Sequence, residues 1–342
     1  MQTSWYFKQL PFVDIHHFIQ QAFSKTGGPE NLNFMSGYGE KDSTAKSLFT
    51  VGLITVFSFV FLFYWDVFKL LRESSVSFST SYLPDITILF WRMLCLCVGV
   101  SAIIYMFRKK TGHMVVLDHE TRSEITLHPL GIKKFVTFSS WTLLCNVAYF
   151  LLATLSSISL LFTFTVPSWL HILQVLFFAT ALGSAFLTST IVRYVILPGE
   201  VKQKRVHKHQ FYFHNQMMHN FAAIFLGVEI ILIQPNLQPH FAIFGLLIGI
   251  LYALFAYPFA YFGGGYYVYS FLDPRLKFAP LLVSGLAGAI SVFYLGLWLI
   301  SQLIASFPLI GSVVVVVWLL LIVQFRPEEF EPNVEQSSPL QE

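Results

Sequence analysis

"PLLVSGLAGAISVFYLGLWLISQLI", from Pro280 to Ile304, contains no charged residue. A helix that crosses a bilayer needs about 20 consecutive apolar residues, so this stretch is long enough to span one. The whole chain of 342 residues is 55% hydrophobic and only 11% charged. A soluble domain usually carries about 25% charged residues. The sequence therefore predicts an all-α fold, a polytopic bundle of about eight transmembrane helices.

Apolar stretches of similar length recur along the chain, and Pro or Gly marks most of the joints between them. The last two stretches are joined only by "ASFP", which indicates a tight hairpin or a re-entrant pair. The predicted spans are Leu48–Trp65, Ile86–Phe107, Phe135–Phe162, Trp169–Leu197, Tyr212–Ile233, Phe241–Phe262, Pro280–Ile304 and Leu309–Phe325.

The composition divides the chain into three regions: a polar N-terminal segment (1–47), a transmembrane domain (48–325) and an acidic tail (326–342) that we expect to be disordered. The first region has no apolar run typical of a secretory signal peptide, so the first helix would act as its own insertion signal. All three cysteines, Cys95, Cys97 and Cys145, lie in apolar segments and are interpreted as packing residues.

The positive charges predict the orientation, because Lys and Arg collect in cytoplasmic loops. All but four of the 21 Lys and Arg residues fall in the N-terminal segment, the tail, or the loops after the second, fourth and sixth spans. Lys69 and Arg72 lie in an opposite loop, and Arg92 and Arg193 lie within spans. This distribution predicts that both termini are cytosolic. The net charge of +3 is too small to indicate a nucleic-acid partner.

Polar residues inside the spans are costly and often functional. "FHNQMMHNFAAIFLGVE", Phe213 to Glu229, contains two histidines, two asparagines and a glutamate. At ~1.5 Å per helical residue, His219 lies roughly 10 Å below the cytosolic surface and Glu229 roughly 25 Å, on another face of the helix. Asn215 precedes His219 by one turn and shares its face. His171 lies at a depth close to that of Glu229, so we expect a structural His171–Glu229 pair.

A second polar stripe, Ser139, Thr142 and Asn146, follows one face of the third span. Ser139 lies roughly 6 Å deep and Arg193 roughly 7 Å deep in the same leaflet as His219. Such hydroxyls often bond only to their own helix, and Asn and His often bridge helices. A hydroxyl activated by a His is nevertheless the minimum for nucleophilic catalysis. Arg193 would either snorkel to lipid phosphates or grip a substrate carboxylate.

Three motifs in the same order resemble the androgen-induced gene-one and androgen-dependent TFPI-regulating protein family. "NQMMHNFAAIFLGVE" matches the family helix with its Asn-x-x-Met-His pattern and a Glu ten residues after the His. "GYYVYSFLD", Gly265 to Asp273, is similar to the stretch after the next family helix, with Tyr267 in place of Trp. "FVTFSSWTLLCNVAYF", Phe135 to Phe150, resembles the helix that bears the family's catalytic Thr.

The resemblance covers residues 86–304 and implies a six-helix core, with the first and eighth spans as additions. It also implies an intramembrane hydrolase that cleaves fatty-acid esters of hydroxy fatty acids with a Thr nucleophile and a His base. Counting back from Tyr149 and Phe150 places Ser139 at the family's Thr, whereas the local Lys-x-x-Thr-Phe pattern places Thr137 there. We favour Ser139, because it lies on the polar stripe and keeps the spacing.

The sequence thus predicts an integral-membrane lipid ester hydrolase of the endoplasmic reticulum or plasma membrane. Ser139, or Thr137, would be the nucleophile and His219 the general base. Asn215, Thr142, Asn146 and Arg193 would contact the substrate, and Asn215 would also orient the imidazole. No cofactor or metal is expected, and the expected partners are membrane lipids or lipid-like substrates. The alternative is a non-catalytic lipid-binding scaffold or transporter of the same fold.

Overall fold

The computed structural model describes residues 37–74, 85–110, 112–205 and 207–326. Within these ranges seven helices are long and apolar enough to cross a membrane, which confirms the predicted all-α, multi-pass membrane bundle. Most of the N-terminal segment and of the acidic tail lies outside the described residues. In chain order the helices are α1 (Thr44–Tyr64), α2 (Val67–Ser74), α3 (Asp85–Arg108), α4 (Phe138–Leu161), α5 (Ser168–Lys202), α6 (Phe213–Ile233), α7 (Pro239–Gly263), α8 (Ala279–Ser306) and α9 (Pro308–Ile322).

Burial separates the helices into a centre and a periphery. Helices α5 and α6 are the most buried, and α1 exposes large apolar side chains such as Phe63, as a lipid-facing helix does. Helix α4 packs between α3 and α5, and α8 packs against both α7 and α5. Helix α1 lies across α7 and α8. The centre of the bundle is therefore formed mainly by α4, α5 and α6, and α1 lies on its lipid-facing side.

Glycines allow α8 to approach its neighbours closely. A Cβ atom on Gly249 of α7 would lie 2.8 Å from the Cα atom of Ala287, and one on Gly183 of α5 would lie 2.7 Å from the carbonyl oxygen of Ile290. Both distances are too short for real carbon contacts. The small residues thus permit the van der Waals packing that holds membrane helices together.

The last helix is shorter than the predicted span Leu309–Phe325. Helix α9 has 15 residues, or about 22 Å of rise, against a hydrocarbon core of about 30 Å. Phe307 separates it from α8, and the backbone N–H of Gly311 donates to the carbonyl of Phe307 at 3.0 Å. The chain thus forms the expected tight helical hairpin, and α9 packs against α6 and α8.

A small sheet, which the sequence analysis did not predict, covers one end of the bundle. Strands β1 (Met114–Asp118), β2 (Glu124–Leu127) and β3 (Tyr266–Tyr267) lie in the order β2-β1-β3, and both pairings are antiparallel. Gly265 precedes β3 with φ +73°, a conformation that side chains disfavour. Its carbonyl accepts the His119 N–H at 2.8 Å. The sheet therefore ties the loop after α3 to the loop after α7.

Where the structure describes them, the segments predicted to share the cytosolic side lie at one end of the bundle, which we call the loop end. Direct hydrogen bonds join Tyr38 to Asp273 and Arg205 to Glu124. The alternation of the loops thus agrees with the charge pattern. Which side of the membrane the loop end faces stays a prediction.

The expected His171–Glu229 pair is wrong, because Glu229 has other partners. Its Oε1 atom accepts hydrogen bonds from the Arg92 Nε and the Tyr149 hydroxyl, each at 2.8 Å. Arg92 Nη1 also donates to the Ser157 hydroxyl at 2.7 Å. No hydrogen bond within the described residues satisfies the buried Nδ1 atom of His171. The similar depth of His171 and Glu229 does not make them partners, because Arg92 reaches Glu229 from a neighbouring helix.

We predict that Glu229→Gln lowers the free energy of unfolding by about 3–5 kcal/mol, because it leaves Arg92 charged and buried without its counter-ion. Unfolding of purified protein in mixed micelles by a denaturing detergent measures the change. Glu73→Gln is the control, since its ion pair with Lys69 is exposed. The double variant Arg92→Met, Glu229→Gln should recover part of the loss. Equal stability of Glu229→Gln and Glu73→Gln would contradict the prediction.

Candidate functional site

A cavity of about 330 Å³ opens at the loop end, and we call it the polar cavity. Its walls come from the start of α4, the last turns of α5, the start of α6, strand β1 and residues 268–271. Four of the residues singled out in the sequence contribute to its lining: Thr137, Ser139, Asn215 and His219. The fold thus gathers the candidate nucleophiles and the candidate base around one space.

The Thr137 side chain caps the N-terminus of α4. As the N-cap residue, its hydroxyl oxygen accepts the Ser140 N–H at 3.2 Å and lies 2.6 Å from the Ser140 hydroxyl. Ser140 in turn donates to the carbonyl of Lys134 at 2.9 Å. These bonds satisfy backbone groups that a helix start leaves unpaired. Ser139, one residue earlier than Ser140, is half-buried and takes no part in the cap.

Tyr269 lies against Ser139, and the sequence analysis did not single it out. Its phenol lies close to the Ser139 side chain, and burial raises the pKa of Tyr269 above its ordinary value. The phenol therefore stays protonated at neutral pH and can donate a hydrogen bond. The signal was available, because Tyr269 lies within the "GYYVYSFLD" motif that carries the family resemblance.

His219 lies in a π-helical turn, Met217–Phe221, within α6. Such turns are rare and occur often at functional sites. The ring is 7% exposed, and its Nδ1 atom has no hydrogen-bond partner among the described residues. A second π-helical turn, Val192–Ile196, interrupts α5 and contributes Val195 and Ile196 to the same cavity. The two turns reshape α5 and α6 where they border the polar cavity.

Asn215 does not orient the imidazole as expected. Its Nδ2 atom donates to the carbonyl of His209 at 2.8 Å and so anchors the loop before α6. The π-helical turn between Asn215 and His219 also removes the simple i, i+4 geometry on which the expectation depended. Asn215 lines the cavity, but its amide supports the fold.

Arg193 is neither a snorkelling residue nor a wall of the polar cavity. Its guanidinium donates to the carbonyl of Leu320 at 3.1 Å and to that of Val323, so it caps the C-terminus of α9. A positive charge at a helix C-terminus is favourable, because the last carbonyls are unpaired and carry partial negative charge. The predicted contact with a substrate carboxylate is therefore corrected to a structural role.

Thr142 and Asn146 lie deeper, outside the lining of the polar cavity. The Thr142 hydroxyl donates back to the carbonyl of Phe138 at 3.3 Å. Asn146 is fully buried, and its side-chain amide has no hydrogen-bond partner among the described residues. The predicted polar stripe therefore reaches the cavity only through Ser139.

A smaller cavity of about 90 Å³ lies beside the polar one and shares lining residues with it, and we call it the apolar cavity. It lies between α5, α7 and α8, and its walls include Leu187, Val283 and Ile290. Ser139 and Tyr269 line both cavities. A hydroxyl thus stands at the boundary between a polar space and an apolar one.

Histidines surround the mouth of the polar cavity. The rings of His113 and His209 lie 4.4 Å apart, and burial lowers the pKa of His113. Among the described residues, however, no three His, Cys, Asp or Glu side chains converge with a geometry that could hold a metal ion. The mouth of the polar cavity is therefore a polar entrance lined by histidines.

Comparisons with protein-family models, with curated proteins and with solved structures gave no match for this chain. The function is consequently inferred from the residues and geometry of the site itself.

We predict that Thr137→Ala and Ser139→Ala affect stability differently. Loss of the N-cap hydroxyl should lower the free energy of unfolding by about 1 kcal/mol. Ser139→Ala should change it by less than about 0.5 kcal/mol, because Ser139 supports no backbone group. Denaturing-detergent titrations of the two variants measure both values. An equal or larger loss for Ser139→Ala would show that Ser139 has a structural role.

Proposed function

We propose that this chain is an integral-membrane lipid ester hydrolase in which Ser139 is the nucleophile and His219 the general base. One observation carries the proposal: Ser139 and His219 line the same polar cavity, and Ser139 also lines the apolar cavity beside it. An ester with one apolar chain could place its carbonyl at that boundary. The resemblance to the androgen-induced gene-one family points to the same chemistry, and its ungapped spacing favours Ser139 over Thr137.

The reaction would follow the usual two steps of nucleophilic catalysis. His219 takes the proton of the Ser139 hydroxyl as the oxygen attacks the ester carbonyl carbon. The bond from that carbon to the alcohol oxygen breaks, and the alcohol leaves with the proton from His219. Water then attacks the carbonyl carbon of the acyl-Ser139 ester while His219 takes a proton from it. The bond from that carbon to the Ser139 oxygen breaks, His219 returns the proton to that oxygen, and the fatty acid is released. Tyr269, beside Ser139, is placed to donate a hydrogen bond to the oxyanion.

The second candidate function is a non-catalytic lipid-binding scaffold or transporter. It is favoured by the unpaired Nδ1 atom of His219, since catalytic histidines are usually oriented by a hydrogen bond at that nitrogen. Within the described residues no carboxylate fills that position. The two candidates differ in whether Ser139 reacts covalently with an ester or an ester mimic.

A fluorescent fluorophosphonate separates them, because it labels an activated serine covalently. The wild type should be labelled and should hydrolyse a medium-chain 4-nitrophenyl ester. Ser139→Ala should abolish both signals, and His219→Gln should reduce hydrolysis roughly 10²–10⁴-fold. Matched controls are Ser159→Ala on the same helix α4 and His128→Gln in the loop before it, and both should retain full activity.

Persistent labelling of Ser139→Ala would move the nucleophile elsewhere. If Thr137→Ala then abolished labelling in a folded protein, Thr137 would be the nucleophile and the mechanism would stand. Absence of labelling and of hydrolysis in the wild type would favour the non-catalytic function.

The proposed location is the endoplasmic reticulum or the plasma membrane, with the loop end and both termini in the cytosol. The charge pattern and the common end shared by the described loops support this orientation. We predict that protease added to sealed vesicles with the cytosolic face outward removes tags at both ends of the chain. A tag inserted between α2 and α3 should be protected as the internal control. Protection of either terminal tag would contradict the orientation.

A further inference from the structure

The apolar cavity contains one polar group without a partner. Thr188 of α5 lines this cavity, is 6% exposed, and its Oγ1 atom has no hydrogen-bond partner among the described residues. A buried hydroxyl without a partner is unfavourable, because it has lost its bonds to water. Such groups in native proteins call for an explanation, and a bound ligand is one.

Thr188 differs from the other Ser and Thr residues of α5 from Thr180 onward. Those side chains donate to the carbonyl four residues earlier, the usual arrangement for Ser and Thr in membrane helices. Thr188 does not, although the carbonyl of Ser184 stands at the corresponding position. The residues that follow the usual pattern are Thr180, Ser184, Ser189 and Thr190. In this rotamer the Thr188 Oγ1 atom is enclosed by protein atoms, and rotation about χ1 would turn the hydroxyl toward the apolar cavity that the residue lines.

The volume and the lining residues of the apolar cavity indicate what kind of ligand it can hold. One water-sized group takes up roughly 10–15 Å³ of such a cavity, so its volume of about 90 Å³ holds about six to nine heavy atoms. None of the described residues that line it is charged, and most are aliphatic or aromatic. The occupant is therefore an uncharged chain of medium length.

The position of Thr188 decides which part of that chain it meets. Ser139 lines both cavities, whereas Thr188 lines only the apolar one. An ester carbonyl next to Ser139 would thus lie at the boundary, and Thr188 would meet an atom farther along the acyl chain. In an otherwise apolar space, an oxygen at that point of the chain would satisfy the Thr188 hydroxyl.

We propose that the apolar cavity binds the acyl part of the ester, and that Thr188 selects a medium-length acyl chain bearing a hydroxyl or keto oxygen. The assignment of this ligand as the acyl part of a substrate rests on the proposed function. The apolar cavity and its unpaired hydroxyl do not, so binding can be tested separately from hydrolysis.

The binding experiment uses purified full-length protein in detergent with uncleaved probes. These are N-methyloctanamide and its analogues with a hydroxyl at carbon 2, 3 or 4, and calorimetric titration measures their affinities. In the wild type at least one hydroxylated probe should bind about two- to ten-fold more tightly than the plain one, which is the range of one buried hydrogen bond. Thr188→Val keeps the side-chain shape and should remove the difference. Thr190→Val should preserve it, because the Thr190 hydroxyl bonds its own helix.

The hydrolysis experiment uses the 4-nitrophenyl esters of octanoic acid and of the hydroxylated acid preferred in the binding experiment. Thr188→Val should lower kcat/KM for the hydroxylated ester by the same factor as its affinity and leave the plain ester unchanged. Hydroxyl-dependent binding without any hydrolysis would retain this inference and reject the hydrolase function. Hydrolysis with equal affinity for all probes, or a preference that survives Thr188→Val, would overturn the inference and leave the hydrolase function intact. Failure of every probe to bind the wild type would also overturn it.

Discussion

Hydrocarbon offers a polar group no hydrogen-bond partner, so every polar side chain within the bundle has to find one inside the protein. The Arg92–Glu229 pair, with Tyr149 and Ser157 around it, is the strongest response to this constraint. It joins α3, α4 and α6 in the half of the bundle away from the loop end. The ion pair thus holds together the half of the bundle away from the loop end, whereas the polar cavity lies at the loop end.

The loop end meets the same constraint with side chains that complete helix termini. Thr137 caps the start of α4, Lys134 donates to the carbonyls of Met106 and Lys109 at the end of α3, and Arg193 caps the end of α9. Ser139, His219 and Thr188 complete no helix terminus. Polar residues that the fold does not use are the natural candidates for contacts with a ligand, and each of the three lines at least one of the two cavities.

Hydropathy and charge placement were sufficient to predict the bundle and the common end of its loops, because both depend on long runs of residues. The pairing of Glu229 was not predictable from depth, since depth along one axis does not say which helices are neighbours. The same limit misplaced Arg193, which is level with His219 but faces α9. The π-helical turns and the three-stranded sheet depend on local tertiary contacts that no short pattern in the sequence encodes. The grouping of Ser139 with His219 followed from their similar depth in one leaflet and from the resemblance to a known family.

Asn220 stands next to His219, and its side-chain amide exchanges two hydrogen bonds with the backbone of Gln324, at 2.6 Å and 3.1 Å. These bonds fasten the turn that carries the histidine to a residue that follows α9 in the chain. During biosynthesis the turn around His219 therefore acquires these backbone partners only after α9 has left the ribosome. Completion of the site is thus linked to synthesis of α9, and a chain that ends after α8 lacks these bonds.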